Sequence, residues 1–118
     1  MKPAQTGVNL HSIWDQSLGR SINFRIQYHY AIEISTEHSR AGLPELIQDK
    51  TPVTWSKESR ALAIEKAYLR GNLEGSKERD DAPALPEGYT KNMKQISEKQ
   101  AALAGYRLAD EIRNCVTP

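Results

Sequence analysis

A chain of 118 residues, 38% hydrophobic and 26% charged, has material for one domain with a single core. Sixteen basic against fifteen acidic residues leave a formal charge of +1, which excludes a global field that would draw the chain onto nucleic acid or an anionic membrane. No apolar run approaches the roughly 20 residues that span a bilayer, so a membrane is not among the expected partners.

The opening MKPAQTG lacks the apolar stretch of a secretory signal, and the compartment is not legible from it. A first helix is predicted from Leu10 to Leu18, with Asn9 as N-cap and Gly19 as its stop. Leu10, Ile13, Trp14 and Leu18 share one face of it, with His11 and Asp15 together at the edge, about 40° apart. The next stretch, INFRIQYHYAIEIS, is ambiguous: Phe24, Ile26, Tyr28, Tyr30, Ile32 and Ile34 alternate as in a strand, while Ile22, Ile26, Tyr30 and Ile34 recur every four as in a helix. A lone strand would have no partner to pair with, which favours the helix.

The polar connection that follows holds a short predicted helix from Pro44 to Ile47. Thr51 then caps a third long helix opened by Pro52, whose inner side is expected to carry Trp55, Ser59, Leu62, Ala63, Ala67 and Leu69. Residues 71–88, charged and proline-bearing, read as an internal solvated loop. The last helix, from Tyr89 to Arg113, carries Met93, Ile96, Ala104, Leu108 and Ile112 at three- and four-residue steps. Ala101, Gly105 and Ala109 add a small-residue stripe, and a helical glycine costs about 1 kcal/mol relative to alanine unless a neighbouring helix comes close. The fold class expected is all-α, in one domain over 1–118.

Chemistry is sparse. A histidine and a carboxylate at i and i+4 aim an imidazole nitrogen and a carboxylate oxygen at one point, which is half of a zinc site. His11/Asp15 and His29/Glu33 both have this spacing, and an exposed ion pair is the default for each. His38 has no carboxylate at helical spacing and reads as a surface residue. Cys115, the only cysteine, excludes an internal disulfide or a thiolate-built zinc site within this chain and reads as a free thiol. Trp14 and Trp55 read as core side chains. No phosphate-cradling glycine loop and no serine-histidine-aspartate arrangement stands out.

The segment NLHSIWD resembles the last metal-binding motif of the zinc-dependent single-strand-specific nucleases, the S-one/P-one type to which mung bean nuclease belongs. Further on, WSKESRALAIEKAY is similar to that family's tryptophan, glutamate-serine and alanine-tyrosine helix, and QISEKQAALAGYRLADEIRN to its closing helix. The resemblance runs in order from about Val8 to Asn114. It implies that His11 and Asp15 are two of three protein ligands to one zinc ion. It also implies a helix for IQYHYAIEIS and returns His29 and Glu33 to the surface. The implied fold is the helical one shared with zinc phospholipase C, with three zinc ions in a cleft, and the implied reaction is hydrolysis of single-stranded DNA and RNA to 5′-phosphorylated products.

The family pattern further includes an N-terminal tryptophan and several histidines and aspartates ahead of this motif, which these residues do not supply. The resemblance therefore implies the C-terminal part of such a nuclease, a partial domain inactive by itself. Its expected partners are single-stranded nucleic acid and the missing N-terminal part or another chain, and the family setting is secreted or periplasmic. The small-residue stripe would then face helices that are absent, leaving apolar surface exposed. A non-catalytic helical module that binds another protein through that surface remains the alternative, with phospholipid hydrolysis on the same fold a third reading. Co-purification with a partner in the absence of metal would favour the module.

Overall fold

The computed structural model describes residues 9–73 and 83–117, and all regular structure among them is helical. The all-α expectation holds, including the ambiguous segment, which is helix α2 (Phe24–Glu37). Before it comes α1 (Leu10–Asp15), and after it α3 (Glu45–Gln48), α4 (Pro52–Leu62) and α5 (Tyr89–Val116). Of the expected loop, residues 74–82 lie outside the described part.

Local chemistry sets the helix starts. Asn9 accepts a hydrogen bond from the Ser12 amide at 2.8 Å, Asn23 accepts from the amides of Arg25 and Ile26, and Thr51 and Thr54 form a reciprocal capping box in front of Pro52. The ends depart from expectation. α1 stops at Asp15, one turn short of Leu18, and the chain passes through turns to Gly19 at φ +92°. α4 stops at Leu62, where Ala63–Ala67 widens into a π-helical turn and Leu69–Gly71 tightens into a 3₁₀ turn. Leu69 and Arg70 are both left-handed there, at φ +50° and +55°, a costly geometry for residues with side chains.

α5 is the spine, 28 residues and about 42 Å long. α2 and α3 lie against its middle, where Ile34, Leu43, Leu46, Ala102 and Leu103 form the core, flanked by Tyr30 and Tyr106. The molecule is only 21 Å across its thinnest direction, about two helix diameters, so few side chains can be enclosed. Leu103 is the one large side chain that is completely buried among the described residues.

Polar pairs complete the attachment to α5. Arg40 makes a two-pronged contact with Asp110 at 2.9 Å and lies over the Tyr106 ring, Lys99 pairs with Glu45, and Arg107 pairs with Glu58 at 2.8 and 3.1 Å beneath the Trp55 ring. The Asp110 carboxyl is held below its usual range, chiefly by the hydrogen bond from Arg40. Burial pushes the Glu45 carboxyl up, yet the Lys99 hydrogen bond, its backbone contact and the nearby cations outweigh it and leave the group lowered.

The expected inner face of α5 is half right. Met93 is buried and Ile96 half-buried, but Ala104, Leu108 and Ile112 are exposed, and the inner face at mid-helix is Glu98, Ala102 and Leu103. Gly105 and Ala109 are exposed as well, and a Cβ at Gly105 would meet nothing within 4 Å. No neighbouring helix among the described residues uses that stripe. α2 behaves alike, since Tyr30 and Ile34 face the core while Phe24 and Ile26 remain exposed, as does Ile22 just ahead of the helix.

Candidate metal centre

α1 is too short to be stable alone, and its position comes from two anchors on α5. The Trp14 indole Nε1 donates to the Tyr89 hydroxyl at 2.9 Å, and that hydroxyl donates to the Ala67 carbonyl oxygen at 2.7 Å. The two rings meet edge to face, with centroids 6.2 Å apart. One turn further along, Ser17 Oγ donates to Ser97 Oγ at 2.6 Å. The π-helical turn has a role here, because Tyr89 ties its last carbonyl to α1. Neither tryptophan belongs to the core as expected; both are half-buried, Trp14 in this relay and Trp55 against Arg107, with its Nε1 donating to the Asp49 carbonyl.

With Trp14 turned inward, His11 and Asp15 face outward. His11 Nε2 stands 3.1 Å from Asp15 Oδ2, and the two side chains are 84% and 62% exposed. Ligand atoms on a tetrahedral zinc ion with bonds of about 2.0–2.2 Å stand roughly 3.3–3.5 Å apart. The contact is the exposed i,i+4 pairing that was the default for this spacing, and its 3.1 Å is slightly shorter than one edge of such a tetrahedron, with an imidazole nitrogen and a carboxylate oxygen of the kinds that suit zinc. Beside His11 lies a cavity of about 360 Å³, bordered by Trp14, Leu62, Tyr68, Ser97 and Gln100.

His29 and Glu33 are exposed on α2, and His29 lies edge to face with Tyr28. Cys115 is free and exposed. His38 differs from its expectation as an isolated surface residue. It is half-buried at the end of α2, and one ligand atom each from Glu37, His38 and Glu98 lie within 4.8 Å of one another. The expectation failed because it looked for a carboxylate at helical spacing, whereas Glu98 comes from α5, 60 positions along the chain.

Glu98 is the buried acidic residue of this group and accepts a hydrogen bond from the Tyr30 hydroxyl at 2.7 Å. The Tyr30 hydroxyl is pushed up to about 12, first by burial, then by that hydrogen bond and by the charges of Glu98, Glu33 and Glu37.

No curated protein and no solved structure matches this chain. A family model does: that of the S1/P1 Nuclease matches residues 1–117, so the match begins at the first residue and not at Val8, and nothing in it singles out a C-terminal portion. With a wholly helical fold among the described residues and a match that spans nearly every residue, the chain belongs to the S1/P1 nuclease family.

Proposed function

We propose that the chain serves zinc-dependent hydrolysis of phosphodiester bonds in single-stranded DNA and RNA, releasing 5′-phosphorylated products, with His11 and Asp15 as two protein ligands of one zinc ion. The observation that carries this is the 3.1 Å approach of His11 Nε2 to Asp15 Oδ2 on an outward face held in place by Trp14, in a chain of the S1/P1 nuclease family. When bound, zinc supplies an acidified water and a positive charge for the phosphate oxygens. His11 and Asp15 hold and orient it, and Trp14, Tyr89 and Ser17 hold α1.

The cavity beside His11 supports a single-stranded substrate. Tyr68 offers an aromatic ring, Ser97 and Gln100 offer hydrogen bonds, and an unpaired base can use both. Catalytic zinc commonly takes three protein ligands, and this reading assigns two, so the 118 residues by themselves bind substrate without turning it over. In the same reading the reaction takes place outside the cytoplasm, the setting that the family resemblance implies. Among the described residues no helix is long and apolar enough to cross a membrane.

Fluorescence anisotropy with a labelled oligonucleotide, alongside a gel assay of its cleavage, tests the reading. Zinc is expected to strengthen single-strand binding at least about tenfold in the wild type and not in His11→Ala, without cleavage. Equal binding of duplex and single strand would overturn the substrate class. Zinc-dependent cleavage by the chain alone would overturn the two-ligand, non-cleaving reading.

A further inference from the structure

The junction of α2 and α5 holds three metal-binding groups that the nuclease reading does not use. Glu37 and His38 close α2, where the backbone of His38 leaves helical geometry at φ −113°, ψ 71°. Glu98 lies opposite them on α5, and a ligand atom from each of the three lies within 4.8 Å of the other two. We infer that Glu37, His38 and Glu98 form a divalent-cation site, separate from His11 and Asp15, that takes Zn²⁺ and clamps the end of α2 to α5.

The donor set decides the class of ion. Two carboxylates and an imidazole suit zinc and related transition metals, while magnesium prefers oxygen donors and retained waters. The ligand atoms lie within 4.8 Å of one another, so reaching the edge of a zinc tetrahedron, roughly 3.3–3.5 Å, needs at most about 1.5 Å of closure. Glu37 is exposed and free to rotate by that much, whereas Glu98 is buried and already oriented by the Tyr30 hydroxyl. A hydrogen-bonded neighbour of this kind commonly fixes a metal-binding carboxylate. The Lys94 ammonium, 3.9 Å from Glu98 Oε1 and itself well exposed, is a weak competitor that a divalent ion displaces into water. Ile34 is in the same last turn of α2, so a bound ion would staple the helix beside the core and stabilise the fold by mass action.

The inference does not depend on the nuclease reading, and its test removes that reading's site. In a His11→Ala background, equilibrium dialysis against Zn²⁺ is expected to give about one bound ion per chain, weakened at least tenfold by a second change, His38→Ala or Glu37→Gln. Zinc should raise the thermal midpoint of the single variant and not of the doubles. Neither second position is fully buried, and far-ultraviolet circular dichroism checks that the helices remain. No binding in the His11→Ala chain, or equal binding in all three, would overturn the site.

Discussion

Leu103→Ala is expected to lower unfolding stability by about 2–3 kcal/mol, the lower half of the range for core leucine truncations. Leu103 is fully enclosed by α2, α3 and the turn before α3, with Ile34, Leu43, Leu46 and Ala102 in the same cluster. The transfer contribution is lost in full. The cavity contribution is reduced, because a layer this thin can relax inward from either side. Leu108 lies five positions further along the same helix and is exposed, so Leu108→Ala should change stability by less than about 0.5 kcal/mol. Urea unfolding of the two variants checks the pair of values. Equal losses would mean that α5 buries a different face.

Glu58→Ala is expected to cost about 2–3 kcal/mol at neutral pH, because it leaves the Arg107 guanidinium without its carboxylate. Both side chains are nearly buried, at 12% and 11% exposed, and the contact is bidentate. Arg107 Nε already lacks a hydrogen-bond partner in the structure, so little remains to absorb a second loss. Replacing both partners by apolar residues, Glu58→Leu with Arg107→Met, should recover most of the loss.

The pH dependence has a definite sign. Arg107 holds the Glu58 carboxyl below its ordinary value of 4.5, with burial opposing it. A carboxyl lowered on folding contributes its stability above the unfolded value, and the contribution fades as pH falls through the folded one. Wild type and Glu58→Ala should therefore differ fully at pH 7 and converge below about pH 4.5. Glu45 and Asp110 are shifted the same way and add to the loss of stability in acid.

Helix starts were legible because they are local: Asn9 before α1 and Thr51-Pro52 before α4 determine their own backbone within four residues. The His11/Asp15 pair was legible for the same reason, being one turn of one helix. What the pattern could not decide was which side of α5 faces in. A helix of 28 residues meets different neighbours at different heights, with Tyr89 and Trp14 at its start and the core of α2 and α3 in its middle. No single apolar stripe describes that, and Leu108 and Ile112 in the last turns are exposed among the described residues.

The charged ties were hidden for another reason. Arg107 with Glu58 and Arg40 with Asp110 join residues 49 and 70 positions apart, where spacing along the sequence carries no signal, and the approach of Glu98 to His38 spans 60 positions in the same way. The left-handed Leu69 and Arg70 and the π-helical turn before them were equally unreadable, because alanine and leucine there favour an ordinary helix; the turn's last carbonyl, at Ala67, accepts from the distant Tyr89 hydroxyl.

The assignment of His11 and Asp15 to zinc is tested most directly by following the imidazole resonances of the three histidines during a Zn²⁺ titration of the wild type and of Asp15→Ala. The proposed ligation predicts a saturable shift of His11, weakened at least about tenfold by Asp15→Ala, while His29 does not respond. A His11 resonance that ignores zinc, or that responds equally with and without Asp15, would contradict it.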